Sequence, residues 1–543
     1  MIPGGNTNMA TRRFRWLALL LAFSFFAAAC GGEVGEDADA DADADAGTDT
    51  SNPDGSTDPD PDPDPDPDSD PVVDDDEPNI HTDPRGGVFQ EFQSSFDRGN
   101  HPFTQLDNYC LPHDEAVDRI ATDDGISEDE INIGHIRSTL EDAEAFGMFV
   151  PVGNPKDMVE VFVDYINTEC GGIRGRQLNL GYAEAAILGE VETSRNAACL
   201  AVTEDHNSVI VMNVTGFSGT ANLCIVEDQE TPFVSTQGQN AEFTAAGGDR
   251  LLSVSLGLER SMRVLVDDLV ASGALDGKNI GAIVQDTPGH ANSLDVGLVQ
   301  PLRDAGFEVT IAVVACNGSS ICTGGVPEVV TEMKDADVDV FFNVMGVFTA
   351  PGVIGEMANQ GFAPGDIQFY ATDFQSQAAE LVSAQIADTS DAAGQLYNGA
   401  IIVNHRATGE NRADGYAPAA FDEMCSQLYN ANNGIGASHA WNDLGDSAYG
   451  MTASACSQLR LISRAIYDAG ENPTQADIES ALISIGPWDV GAMLPASFAP
   501  GKTESPDAIQ TLDFTYPCDQ PLPFATDEVS ICITGRGDWR PAR

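Results

Sequence analysis

Positive charge is scarce in this sequence. Its 543 residues include 25 Lys and Arg against 86 Asp and Glu, for a formal net charge of −61. Lysine stands at only four positions: Lys156, Lys278, Lys334 and Lys502. A polyanion needs a basic footprint, so nucleic acid is excluded as a main partner. Attraction to an anionic membrane surface is disfavoured for the same reason. Long apolar runs are scarce too. Residues 16–29 form one of 14, broken only by Ser24, and a spanning helix needs about 18–20. Catalytic signatures are also missing. There is no HExxH, no GxGxxG and no CxxC, and the eight histidines are scattered. Gly216-Phe217-Ser218-Gly219-Thr220 falls one residue short of GxSxG. Ala496, followed after four residues by Gly501-Lys502-Thr503, fits a relaxed phosphate loop. That chemistry requires a strand before and a helix after, and Pro500 and Pro506 flank the motif instead. The reading is a protein that is not an enzyme, with no cofactor and no metal.

The acid is unevenly spread. Residues 31–80 hold 20 Asp and Glu and no Lys or Arg, and the rest of the chain remains strongly acidic. Such a surface suits a salty medium, where salt screens self-repulsion, or an ordinary acidic exported protein. At the N-terminus, Arg12, Arg13 and Arg15 precede the apolar run, which ends in Ala27-Ala28-Ala29-Cys30-Gly31-Gly32. This is the pattern of a secretory signal over residues 1–29. The small residues before Cys30 resemble a bacterial lipobox, although the usual Leu before the Cys is missing. The expectation is lipidation of Cys30 and a membrane-anchored, extracytoplasmic protein, in the periplasm or at the cell surface. Residues 30–87 are low in complexity, with Asp-Ala repeats and then Asp-Pro repeats. Like charges repel and nothing there can form a core, so a disordered acidic linker is expected. Alternating Asp41, Asp43 and Asp45 suggest calcium, but Ala46 and Asn52 stand where an EF-hand loop needs Gly and Glu.

There are 11 cysteines. Setting Cys30 aside leaves an even number, which in an exported chain argues for disulfides. Sequence cannot fix their connectivity. The simplest guess pairs neighbours: Cys110–Cys170, Cys199–Cys224, Cys316–Cys322, Cys425–Cys456 and Cys518–Cys532.

From Ile131 onward, short β-branched runs alternate with amphipathic stretches. The rhythm runs to about residue 235 and restarts near residue 279. Repeated strand–helix units predict parallel sheets covered by helices, and two runs predict two lobes. After residue 403 the chain turns mainly helical, and the tail from residue 490 reads as short strands and loops. In open α/β sheets, ligands bind outside the carboxyl ends of the strands, so facing lobes form a cleft there.

The segments Thr122-Asp123-Asp124-Gly125-Ile126, Ile131-Asn132-Ile133-Gly134 and Cys170-Gly171-Gly172-Ile173-Arg174-Gly175-Arg176 resemble the start of the branched-chain amino-acid-binding family. These are type I periplasmic binding proteins that feed ABC transporters. The resemblance covers roughly residues 125–516 and includes Tyr449 and Asp468-Ala469-Gly470. It implies an α/β fold of two Rossmann-like lobes with parallel sheets, joined by a three-crossing hinge. The first lobe would take residues 88–254 and 404–490, and the second 255–403 and 491–543. It implies binding of an amino acid or similar small polar solute in the cleft, and a permease as partner. A ligand-sensing receptor of the same fold, or a structural lipoprotein that lost the site, remain open. By position, the ligand carboxylate would meet Thr215, Ser218, Gly219, Ser235, Thr236 and Gln237, where converging N–H and O–H donors suit an anion. Asp373 would hold the ligand ammonium, although it equally reads as a helix N-cap. His290 and Phe348 would stand near the solute, although each also reads as an ordinary loop or core residue.

Overall fold

The computed structural model describes residues 109–111, 117–142, 152–188, 191–217, 219–316, 322, 324–373, 380–406, 408, 418, 420–441, 448–488, 496–519 and 531–542. The expected signal segment, Cys30, the acidic linker and Ser218 lie outside the described residues.

Two sheets organise the chain. The first is wholly parallel, in the order β2-β1-β3-β4-β5. Its strands are β1 (Glu130–Ser138), β2 (Gln177–Ala185), β3 (Ile210–Met212), β4 (Phe233–Ser235) and β5 (Leu251–Ser253). Between β1 and β2 runs α1 (Pro155–Thr168). Its start is set by Asn154, whose side chain accepts from the Lys156 and Asp157 amides, and by Pro155 at the first turn. Met158, Val159, Phe162, Val163 and Ile166 recur at helical spacing and are buried against Ile131 and Ile133 of β1. The opposite face of the sheet, through Ile136, Ala183 and Ala185, packs on α2 (Val191–Leu200). A short helix α3 (Ala241–Gly247), capped by Asn240, leads into β5.

The second sheet follows the order β14-β13-β10-β9-β8-β6-β7. It begins after α4 (Leu258–Ser272) with β6 (Ile280–Gln285), followed by α5 (His290–Leu294) and β7 (Val309–Val314). The chain continues through α6 (Val326–Asp335), β8 (Val340–Val344), α7 (Ala350–Asn359), β9 (Gln368–Thr372), α8 (Glu380–Thr389), α9 (Asp391–Tyr397) and β10 (Ile401–Asn404). Strands β6 to β10 are parallel. Leu265 of α4 and Leu298 pack on one face, and Val330 and Met333 of α6 with Ile354 and Met357 of α7 pack on the other. Both faces are therefore covered, as a parallel sheet requires.

After β10 the chain returns to the first core as α10 (Ala420–Asn432), α11 (Ala448–Asp468) and α12 (Gln475–Ile483), with the small hairpin β11 (Gly486–Trp488) and β12 (Ala496–Phe498). It then crosses again and ends in two long antiparallel strands, β13 (Ala508–Asp519) and β14 (Ile531–Pro541), which extend the second sheet beside β10. The tail is thus two strands of 12 and 11 residues, where the sequence suggested short ones. Alternation is present in Leu512-Asp513-Phe514, with Leu512 and Phe514 buried. Gly535 and Gly537 break the pattern in β14, where pairing with β13 supplies the order that local propensity does not.

The chain passes between the two cores at residues 254–257, between β10 and α10, and at residues 499–507. The first and third crossings are stitched together. The Ser253 amide donates to the Thr503 carbonyl at 2.7 Å, the Ser505 amide donates to Ser253 O at 2.9 Å, and Ser505 Oγ donates to Val254 O at 2.8 Å. Lys502, from the phosphate-loop-like motif, serves this stitch. Its ammonium donates to the carbonyls of Ser497, Glu504 and Ser505 and lies 3.0 Å from the buried Asp507 carboxylate. No strand–loop–helix stands there, and the motif is a hinge turn.

Five disulfides join Cys110 to Cys170, Cys199 to Cys224, Cys316 to Cys322, Cys425 to Cys456 and Cys518 to Cys532. Among the described residues no helix is long and apolar enough to cross a membrane.

Candidate functional site

The carboxyl ends of β3 and β4 carry Thr215 and the run Ser235-Thr236-Gln237. A buried asparagine joins them. Asn213 Oδ1 accepts the Thr236 amide at 2.8 Å, and its carbonyl accepts Thr236 Oγ1 at 2.7 Å. Thr215 Oγ1 accepts the Ser138 amide at 2.7 Å, which ties the end of β1 to the same edge. Ser235 Oγ donates to Gln237 O at 3.0 Å and accepts Gln239 Nε2 at 2.8 Å. The Gln237 side chain lies over Gly216, where a Cβ would stand 2.9 Å from its Cδ; the positive φ of 85° at Gly216 adds a second reason for glycine. Gly219 is buried beside Glu192 and Arg195, on the side of α2.

Asn213, Gln239 and Gln458 were not singled out from the sequence. Gln458 sits in the middle of α11 and reaches Thr236 Oγ1 at 2.8 Å. A fully buried glutamine inside an otherwise apolar helix face is the signal that was available, since buried amides persist only with partners.

In the second lobe, Asp373 follows β9 and is almost wholly buried. Its backbone amide donates to Val403 O at 2.8 Å. Its Oδ2 receives Arg406 Nε at 3.0 Å and stands 3.5 Å from His405 Nε2. Burial first, then the Arg406 and Arg260 guanidinium groups, hold the His405 imidazole well below its usual pKa, so it is neutral. Arg406 also donates through Nη2 to Ser255 Oγ at 3.0 Å, and Ser255 Oγ donates to Thr236 O at 2.7 Å. A continuous polar chain thus runs from Asp373 through Arg406 and Ser255 to Thr236, linking the candidate residues of the two lobes. Arg406 and Ser255 lie on two of the crossings.

The lobes also touch at Gly289 and Asn240, where a Cβ on Gly289 would stand 2.1 Å from Asn240 Nδ2. Beside this contact, Glu259 Oε1 accepts the Ala241 amide at 2.7 Å and the Ser293 hydroxyl. His290 opens α5 immediately after Gly289. It is buried, and burial pulls its pKa from 6.5 to about 4. Phe348 lies half-buried in the turn between β8 and α7. The structure brings Thr215, Ser235, Thr236, Gln237 and Asp373 into one connected region, with His290 at the adjoining lobe contact. It does not tie Phe348 into that network.

Chemically, the region offers hydroxyl and amide groups on one wall and a carboxylate–guanidinium pair on the other. Such groups can donate and accept hydrogen bonds to a polar solute.

Similar architectures are known. A fatty acid ABC transporter substrate-binding protein from Thermomonospora curvata superposes with a TM-score of 0.54 at 14% identity, covering 79% of this chain and 96% of that one. A solute binding protein of an ABC transporter from Rhodopseudomonas palustris BisB5, in complex with 3,4-dihydroxybenzoic acid, gives 0.51 at 13%, covering 78% and 98%. A leucine binding protein from Thermotoga maritima MSB8 gives 0.51 at 10%, covering 75% and 97%. At these identities the likeness is one of fold. Among curated proteins none matches the chain. Residues 151–510 match the family model described as periplasmic binding protein, so the chain belongs to the periplasmic binding protein family.

Proposed function

We propose that this protein is the solute-binding component of an ABC importer, held outside the cytoplasm by a lipid on Cys30, and that it takes an amino acid or similar small polar solute between its lobes. The observation that carries the reading is the polar chain from Asp373 to Thr236, which joins the strand ends of both lobes where a family member would close on its solute. Thr215, Ser218, Gly219, Ser235, Thr236 and Gln237 form the first wall in this reading, and His290, Phe348 and Asp373 the second. A permease is the partner that receives the solute.

A thermal-shift screen tests it. The panel holds amino acids, amides and small organic acids, including leucine, 3,4-dihydroxybenzoate and a fatty acid, the solutes or classes named for proteins of similar fold. A ligand that binds only the folded state stabilises by RT ln(1 + [L]/Kd), about 2.7 kcal/mol at a hundredfold excess over Kd. A panel without any stabilising solute would count against the reading. The expected lipid is tested by mass spectrometry of membrane-extracted protein with and without Cys30→Ser.

The acidic segment at 30–87 favours a second reading, a receptor whose bound state is read by a signalling partner, because delivery to a nearby permease needs no long spacer. Solute uptake in cells lacking the gene separates the two. Undiminished uptake of the identified solute selects the receptor.

A further inference from the structure

Asp373 is the carboxylate that the family resemblance assigns to a ligand ammonium, but its charge is already engaged within the protein. Its Oδ2 is met by Arg406 Nε at 3.0 Å, and His405, held neutral, covers the same oxygen at 3.5 Å. The pair is buried on the Asp373 side and open on the Arg406 side, where the guanidinium side chain is 28% exposed and the carboxylate side chain 1%. Nη2 of Arg406 is taken by Ser255, and Nη1 has no partner among the described residues. Other nearby acids are also engaged. Glu259 accepts from Ala241 and Ser293, and Glu504 faces Arg260 at 3.6 Å. A solute arriving between Thr236 and Asp373 therefore meets hydroxyls, amides and an exposed guanidinium edge, and the carboxylate aligned with it among the described residues is already neutralised. An ammonium group would enter beside Arg406 with no uncompensated anion among the described residues to receive it, and like charges at close range repel. A carboxylate would find a guanidinium with a donor to spare.

We infer that Arg406 sets the charge selected by this cleft, and that the solute is a small carboxylic acid without an α-ammonium group. The inference rests on the solute-binding reading above and names its substrate class. Asp373 is then the counter-ion that positions Arg406, and Ser255 fixes the other edge of the guanidinium plane.

Matched pairs test it on the full chain by calorimetry: L-leucine against 4-methylpentanoate, and L-phenylalanine against 3-phenylpropanoate. Each pair shares a carbon skeleton and differs by the amino group. In the wild type, an acid should bind at least about tenfold tighter than its amino-acid counterpart. Arg406→Gln should weaken the acid by about 10–100-fold and erase the preference, because Asp373 is released, while Arg406→Lys should keep part of it. Asp373→Asn gives the sign that separates the roles. It frees Arg406 and leaves acid binding equal or tighter, whereas a carboxylate that held a ligand ammonium would cost amino-acid binding about 10–150-fold when lost. A purely structural Arg406 would lower the melting temperature of the ligand-free protein and leave the acid-to-amino-acid ratio unchanged, which overturns the inference. Tighter binding of either amino acid than of its matched acid also overturns it and leaves the solute-binding reading standing. Failure of all four probes to bind the wild type removes this substrate class, and the wider panel then decides whether the solute reading survives.

Discussion

Neither ring nitrogen of His135 finds a hydrogen-bond partner among the described residues, although the side chain is fully buried on β1. Burial, with Arg137 beside it, pulls its pKa from 6.5 to about 3. The unfolded chain therefore binds a proton that the fold refuses. This contribution to stability is fully present above pH 6.5 and is lost as pH falls toward 3. Between pH 8 and pH 5 that one group should remove about 2 kcal/mol. His290 acts in the same direction, with its folded pKa near 4. In urea titrations at the two pH values, His135→Phe should show a pH loss smaller than wild type by about 2 kcal/mol. An equal loss in both proteins would place the acid sensitivity elsewhere. Lys502 is a second residue-scale test. Lys502→Met leaves the buried Asp507 carboxylate without its ammonium and the hinge carbonyls without their donor. Unfolding free energy should fall by about 3 kcal/mol, as for other buried pairs broken from one side. At this scale the sequence was partly legible. The resemblance placed Ser235, Thr236 and Asp373 at strand ends, and they stand at the ends of β4 and β9. It could not show that Asp373 is paired with Arg406, because that pair joins two strand ends 33 residues apart.

Helices and strands differ in how openly their causes are written. α12 begins with Thr474, which caps the Asp477 amide, while the Asp477 carboxylate returns to the Thr474 amide. This reciprocal cap is local and was readable as a helix start. Thr474→Ala should cost about 1 kcal/mol by equilibrium unfolding, and Thr474→Ser much less. The β13–β14 pair is held by Cys518–Cys532, 14 residues apart in sequence. Replacing both cysteines with Ser should lower stability by about 3 kcal/mol on the chain-entropy account, seen as a lower melting temperature, with the first core unaffected. The same pair shows where local reading stopped. Pro517, Gly535 and Gly537 disfavour strand; Gly535 still pairs with Leu512, while Pro517 and Gly537 fall in the two register shifts, between Phe514 and Asp519 and opposite Ile509 to Thr511. Pairing with β10 and burial of Leu512 and Phe514 decide the matter, and both are tertiary.

The molecule as a whole carries far more acid than base, and that excess extends well beyond the 30–87 segment. Self-repulsion among surface carboxylates is relieved as the Debye length shrinks from about 10 Å at 0.1 M salt to about 3 Å at 1 M. The melting temperature should therefore rise with added sodium chloride over this range. A flat or falling curve would show that the excess charge costs the fold nothing. Two lobes with separate cores and three crossings also permit hinge motion, and the first and third crossings are linked by Ser253, Thr503 and Ser505 main-chain hydrogen bonds.

By itself the sequence determined what depends on near neighbours and on composition. It set the alternation of strand and helix, the presence of two runs and so two lobes, the strongly acidic net charge, and the resemblance carried by the glycine-rich turn at 170–176. These follow from local propensity, periodicity and net charge, which a single chain displays without folding. The tertiary structure alone decided the antiparallel extension of the second sheet, the role of Lys502 in the hinge, and the Asp373–Arg406–Ser255–Thr236 chain. Each depends on groups brought together from distant segments, and their charges and donors acquire meaning only once burial has removed water from between them.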